Sequence, residues 1–177
     1  AQDYSENGND GVWFGSLTSG VTGISKDGGD WGDGLAYSLD GSDDYVCTVD
    51  STSLDFTEND AFTISAWFKP DTTTGENTII RKGRTGGGKL EYILRVNDGS
   101  LEGFYSDGNG NTASVSTSFS DTGNWHHVVY RYNGSNDQNT LFLDGTQVDS
   151  TSSSLTLQDN NADLHVGASF SDETNTG

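Results

Sequence analysis

The sequence predicts an all-β, antiparallel sandwich of two sheets, and three observations carry that prediction. Ile64, Ala66 and Phe68 alternate with Thr63, Ser65, Trp67 and Lys69; Leu90, Tyr92, Leu94 and Val96 alternate with Glu91, Ile93 and Arg95; Val128, Tyr130 and Tyr132 alternate with His127, Val129 and Arg131. A period of two sends successive side chains to opposite faces, so each run reads as a half-buried strand. Between the runs recur Asp40-Gly41, Asn97-Asp98-Gly99, Asp107-Gly108-Asn109-Gly110, Asn133-Gly134 and Asp144-Gly145, which accept positive φ and close hairpins. No window longer than a turn or two shows a 3.6-residue period, so helices are expected to be minor.

Taken in order, residues 1–36 mix Gly, Asp, Asn and Ser with isolated Val12, Trp13, Phe14, Leu17, Val21 and Ile24. They read as a loop-rich leading segment with one or two edge strands, and Asp27, Asp30 and Asp33 read as a solvated loop. Tyr37 to Val46 joins a short alternating strand to a loop crowded with carboxylates. The next strand, Tyr45 to Val49, carries the only cysteine, Cys47, which shares a face with Tyr45 and Val49 and reads as a buried, inert thiol, the alternative being a reactive or intermolecular one. Pro70 ends the strand that begins at Ala61, where a missing donor is harmless. The sandwich body is expected over 37–177, giving a single domain over 1–177, as 177 residues suit one all-β unit.

Charge narrows the partners. Eight basic residues against 27 acidic ones give a net charge of -19, which disfavours nucleic acid and anionic lipid and favours cations. No apolar run approaches the roughly 18 to 20 residues of a bilayer span, so no membrane insertion is expected. No signal peptide is recognisable, and A-Q-D-Y reads as a processed amino terminus.

Five stretches in order, Y-S-L-D-G-S-D-D-Y-V (37–46), A-F-T-I-S-A-W-F-K-P (61–70), G-N-W-H-H-V-V-Y-R-Y-N-G (123–134), L-F-L-D-G (141–145) and L-H-V-G-A-S (164–169), resemble laminin-G-like, concanavalin-A-like jelly-roll domains. The resemblance covers nearly the whole chain from Asp3 and implies a jelly roll. It implies that Trp125 packs between sheets, and that a closing strand of the type I-D-E-V-R-I-Y should follow L-H-V-G-A-S. The sequence ends at S-D-E-T-N-T-G without it. The expectation is an open edge at Val12 to Leu17, left by truncation or completed by a strand from an identical subunit or adjacent domain.

Calcium is the metal that the sequence suggests. It takes six to eight oxygens in irregular loops, and Asp40, Asp43 and Asp44 offer three carboxylates beside Gly41. The competing reading is an Asp40 turn with hydrated neighbours. The resemblance implies further oxygens from the amino-terminal loop, which makes Asp3 and Asn7 candidates. D-G-N-G-N (107–111) begins like an EF-hand loop but has Thr112 at the sixth position and Ser118 at the twelfth. It reads as a hairpin tip of a kind that binds sugars, through Asp107, Asn109 and Asn111. A glycan also needs aromatic surface; Trp31, alone among Gly and Asp in a loop, and Tyr105 are the candidates, with capping of the open edge the alternative for Trp31.

Enzymatic readings fare poorly. Glucanases of the same jelly roll carry E-x-D-x-x-E on one strand; no such triplet occurs, and Glu91 stands alone on its strand. There is no G-x-S-x-G, His126 and His127 point to opposite faces, and one cysteine with scattered histidines does not build a zinc site. The reading is a non-catalytic, extracellular or cell-surface recognition and adhesion module, calcium-stabilised, with a glycan or cell-surface glycoprotein as partner. The alternative is a structural subunit of an extracellular filament or surface layer assembled by strand exchange. The sequon Asn133-Gly134-Ser135 fits either.

Overall fold

The computed structural model describes residues 1–23, 35–84 and 89–168. Among them the regular elements are strands: β1 (Val12–Phe14), β2 (Thr18–Thr22), β3 (Leu35–Ser38), β4 (Tyr45–Thr48), β5 (Ala61–Phe68), β6 (Glu76–Arg84), β7 (Lys89–Asn97), β8 (Ser100–Ser106), β9 (Thr112–Ser118), β10 (His126–Asn133), β11 (Gln138–Leu143), β12 (Thr146–Ser152) and β13 (Leu164–Val166). They form a seven-stranded sheet ordered β1-β4-β13-β6-β7-β8-β9, a four-stranded sheet ordered β12-β11-β10-β5, and the separate hairpin β2-β3. Most turn signals act as the sequence predicts, but Gly134 does not take a positive φ, and in the turn between β10 and β11 it is Asp137 (φ 55°) that does. Asp98 (φ 44°) with Gly99 (φ 80°) closes β7 onto β8, and Asp144 (φ 50°) with Gly145 (φ 79°) closes β11 onto β12.

The two sheets bury one apolar layer between them. Phe62 and Ile64 of β5, Val128, Tyr130 and Tyr132 of β10 and Leu141 of β11 meet Tyr92, Leu94, Val96, Leu101, Tyr105 and Val115. The buried tyrosine hydroxyls all donate: Tyr130 to Asn139 Oδ1 at 2.7 Å, Tyr132 to the Glu58 carbonyl at 2.9 Å, and Tyr105 to the Leu155 carbonyl at 2.8 Å. Burying those hydroxyls therefore leaves no donor unpaired. Gly103 is required by close approach, because a Cβ there would lie 2.6 Å from the Tyr130 ring.

Strand β7 departs from strict alternation. Tyr92 stands opposite Lys82 and Leu90 opposite Gly83, so Glu91 is an extra residue in a bulge. A bulge re-aims its side chains. Glu91 joins Lys82 and Tyr92 on the inner side, while Leu90 joins Ile93 and Phe104 in a second small apolar cluster. The strand is also buried on both faces rather than half-buried, since it lies inside a seven-stranded sheet.

Other expectations need correction. Val49 lies outside β4 and is 71% exposed, so it shares no buried face with Cys47. Cys47 is half-buried, with its Sγ 3.7 Å from Asp163 Oδ2. Trp125 stands outside the inter-sheet core, half-buried, with Lys69 Nζ 5.8 Å from its ring.

The sheets are unequal, and that difference shapes the surface. Strand β5 packs over β7 through Phe62 and Tyr92, whose rings are 5.0 Å apart. The inner face of β6, β13, β4 and β1 beyond it forms a shelf whose Ile80 and Leu164 pack against the same core, with Tyr37 of β3 ring to ring 4.5 Å from Trp13 at its far edge. Among the described residues two strands there end their sheets: β1, where the sequence places an edge, and β5, where it does not. Residues 171–177 lie outside the described residues.

Candidate functional site

The carboxylate loop before β4 is built around Asp44. Its Oδ1 accepts from the Ser16 N–H at 2.6 Å and its Oδ2 from the Asp40 N–H at 3.1 Å, and the residue is 6% exposed. Asp40 Oδ1 accepts from the Ser42 and Asp43 N–H groups at 2.8 and 3.3 Å, and these donors hold its carboxyl below the usual range, led by Ser42. The Asp43 carboxylate takes no hydrogen bond among the described residues. One oxygen each from Asp40, Asp43 and Asp44 lies within 4.8 Å of the others, a separation that a cation can bridge, with lone pairs to spare on all three.

Asp3 and Asn7 are elsewhere. The Asp3 carboxylate accepts from the Ser5 and Asn9 N–H groups at 2.7 and 2.8 Å. Asn9 Nδ2 donates to Ser53 Oγ at 2.9 Å, and the Asn9 carbonyl accepts from Thr48 Oγ1. This segment therefore packs at the Thr48 end of β4, whereas Asp44 stands at the Tyr45 end, about 10 Å of strand away. A calcium ligand set joining the two loops is corrected by that separation.

What Asp3 and Asn7 do line is a depression of about 460 Å³ on the shelf. Its floor is apolar, from Val46, Ile80, Leu164 and Val166, and its wall is polar, from Asp3, Ser5, Asn7, Asn9 and Ser53. The bare backbone of Gly11 is needed at its rim, as a Cβ would sit 2.4 Å from Val46 Cγ1.

The second loop candidate folds onto itself. Asp107 Oδ1 accepts from the Asn109 and Asn111 N–H groups at 2.8 and 3.1 Å, and Oδ2 from Asn111 Nδ2 at 2.7 Å. Asp107 is thereby held below the usual carboxyl range, first by the Asn111 side chain, and the tip is an exposed, internally bonded hairpin. Tyr105 is not a surface residue. It is 0% exposed within the core, 4.7 Å ring to ring from Tyr132, and cannot stack on a ligand. Trp31 lies outside the described residues, as do Asp27, Asp30 and Asp33.

Sequence reasoning missed a buried ionic cluster. Lys82 Nζ lies 2.9 Å from Asp50 Oδ1, 2.8 Å from Asp55 Oδ1 and 3.0 Å from Glu91 Oε2, and donates to the Asn160 carbonyl at 2.7 Å. Burial alone would lower the lysine pKa, but Asp55, Asp50 and Glu91 outweigh it and raise it. Burial pushes the Glu91 carboxyl up to about 7, against the Phe56 N–H and Lys82. Both side chains are fully buried, so Glu91 is walled away from any substrate. Alternation hides this cluster, because it forms only through the bulge and two distant loops.

His126 and His127 do diverge as expected. His126 Nδ1 sits 2.8 Å from Asp144 Oδ2 and Nε2 3.3 Å from Asp121 Oδ2, while His127 Nε2 meets Ser65 Oγ at 2.9 Å.

Two unequal antiparallel sheets around one aromatic and aliphatic layer define a jelly-roll sandwich of the lectin type. The chain belongs to the concanavalin A-like lectin/glucanases superfamily, whose laminin-G model matches residues 40–177. No curated protein matches it. Among solved structures, the binding domain of Paraclostridial Mosquitocidal Protein 1 is 20% identical with a TM-score of 0.65, over 94% of this chain and 41% of that one. The binding domain of botulinum neurotoxin serotype G is 14% identical with a TM-score of 0.70, over 94% and 40%. The serotype D ligand binding domain in complex with N-acetylneuraminic acid is 18% identical with a TM-score of 0.56, over 70% and 32%. The chain thus spans about two fifths or less of those domains, and at these identities the likeness is one of fold. Among the described residues no helix is long and apolar enough to cross a membrane.

Proposed function

We propose that this chain is a non-catalytic, extracellular or cell-surface recognition module that binds a glycan in the depression beside β4, with calcium bracing the Asp40, Asp43 and Asp44 loop. The observation that carries the reading is the composition of that depression, an apolar floor beneath a wall of hydroxyls, amides and one carboxylate. A pyranose has the same two characters, C–H groups on its faces and hydroxyls at its rim, and a site with few convergent polar groups over apolar surface suits it. The toxin domains of this fold give circumstantial support, since one is described in complex with N-acetylneuraminic acid and one study of another concerns two ganglioside molecules. Burial of Glu91 supports the non-catalytic part.

A glycan array followed by calorimetry on the best hit tests it. Asn7→Ala and Ser53→Ala should each weaken binding about tenfold, since each strips a polar partner from the wall. Wild-type affinity in both variants, or no hit at all, would overturn the site.

A second reading is favoured by β5. The run A-F-T-I-S-A-W-F has no charge and no proline, and among the described residues it pairs with β10 alone. An edge of that kind invites a further strand. In this reading the chain is a structural subunit completed by a strand of an identical subunit or adjacent domain. Light scattering separates the two: concentration-dependent assemblies that Ala66→Pro dissolves would support strand exchange, and a monomer at all concentrations would reject it.

A further inference from the structure

The outer face of the four-stranded sheet differs from the rest of this acidic molecule. Along β5 and β10 it presents Thr63, Ser65 and Trp67 beside His127, Val129 and Arg131, in the register Trp67 to His127, Ser65 to Val129 and Thr63 to Arg131. Phe142 of β11 continues the row beside Val129. None of these positions is Asp or Glu, in a chain with 27 acidic residues. Among the described basic side chains, Arg81, Lys82 and Arg95 stand in ion pairs. Lys69 and Arg131 do not; each rests instead over a ring, Lys69 at 5.8 Å from Trp125 and Arg131 at 5.9 Å from Phe142.

The aromatic at the centre is open. Trp67 is 56% exposed, 5.0 Å ring to ring from His127, whose Nε2 is in turn 2.9 Å from Ser65 Oγ. Core packing does not explain a tryptophan in that position, because the core side of β5 is filled by Phe62 and Ile64. Lys69 is two residues from Trp67, about 7 Å along the chain, and Arg131 is about 20 Å from Lys69 along the strands. The carboxylates nearby are turned to other partners: Asp144 to His126 Nδ1 and the His127 N–H, and Asp121 to His126 Nε2.

We propose that this face is a second glycan site, selective for an oligosaccharide carrying a sparse acidic sugar, with one pyranose ring on Trp67 and its carboxylate on Lys69. Ser65 and His127 supply hydroxyl partners beside the ring, and Arg131 anchors the far end of the chain. Sparse charge is part of the inference. At physiological salt the screening length is about 8 Å, so a single carboxylate feels the local cations, whereas a polyanion also meets the acidic surface beyond them. The inference rests on the glycan reading above and assigns it a further face and a charge preference.

The test compares a xylo-oligosaccharide bearing one glucuronic acid with the same oligosaccharide lacking it, by calorimetry on the intact chain. The acidic form should bind at least about tenfold more tightly. Trp67→Ala should weaken both forms about threefold to tenfold, while Lys69→Gln should erase the difference between them. Both substituted side chains are exposed, so matched melting curves will show that the fold is kept. Equal binding of the two sugars, wild-type behaviour of Trp67→Ala and Lys69→Gln, or tighter binding of a polyanion such as polygalacturonate would each overturn the proposal. If binding falls in Asn7→Ala but not in Trp67→Ala, this inference fails while the depression keeps its assignment; if neither variant nor the wild type binds sugar, both fall.

Discussion

Lys82 Nζ and Glu91 Oε2 lie 3.0 Å apart with both side chains fully buried, although the two residues sit on neighbouring strands whose simple alternation would aim them apart. The bulge at Glu91 brings them to one side, and Asp50 and Asp55 arrive from the loop after β4. The ammonium therefore pins that loop, the β12–β13 connection at Asn160, and the centre of the large sheet.

Removing the cation should be costly. Lys82→Met would leave Glu91 and the half-buried Asp55 without their counter-charge, and loss of one partner of a buried pair typically costs about 3–5 kcal/mol. Urea denaturation should show the midpoint falling at unchanged slope. A variant as stable as the wild type would show that the cluster relaxes into water.

Glu91 should also give stability a pH slope. Its folded pKa of about 7 exceeds the ordinary 4.5, so between those values the folded state holds a proton that the unfolded chain has lost. Its contribution is fully present below about 4.5 and is lost as pH rises through about 7. Melting curves from pH 4.5 to 7.5 should fall more steeply for the wild type than for Glu91→Gln, by at most roughly 1.4 kcal/mol per unit. Parallel curves would place Glu91 as a permanent carboxylate.

Calcium should act through Asp43. Excess calcium should raise the melting midpoint of the wild type, since binding only the native state stabilises it. Asp43→Asn should abolish that rise and leave the midpoint in chelator unchanged, because its carboxylate holds no backbone group. Asp44→Asn should lower the midpoint even in chelator, as Asp44 accepts from Ser16 and Asp40. A wild type indifferent to calcium would reduce this loop to a hydrogen-bonded turn.

Gly103 should tolerate no side chain. A Cβ placed 2.6 Å from the Tyr130 ring must displace a packed aromatic, so Gly103→Ala should cost about 1–3 kcal/mol. Tyr130→Leu in the same chain should recover part of it, and full additivity of the two losses would argue against the contact.

Much of the fold was legible because it is local. Ile64 and Phe62 alternate with exposed Thr63 and Ser65 as written, and Asp98-Gly99 and Asp144-Gly145 close the hairpins that their chemistry requires. The Asp40, Asp43 and Asp44 loop was legible for the same reason, three oxygens close in sequence being close in space. Tyr105 was misread because an aromatic next to a polar tip gives no local sign of which face its strand buries. Asp3 and Asn7 were set beside the wrong end of β4, since a long loop does not encode where it docks.

By itself the sequence determined the class of fold, its strands and its tight turns, because a period of two and a residue that accepts positive φ act within a few positions of themselves. Only the tertiary structure decided that Glu91 faces Lys82, that the small sheet stops at β5, and that Trp67 and Arg131 share an outer face of β5 and β10 with Thr63, Ser65, His127 and Val129. Those facts depend on register, on a one-residue bulge and on how many strands each sheet holds, and each is set by contacts between segments far apart in the chain.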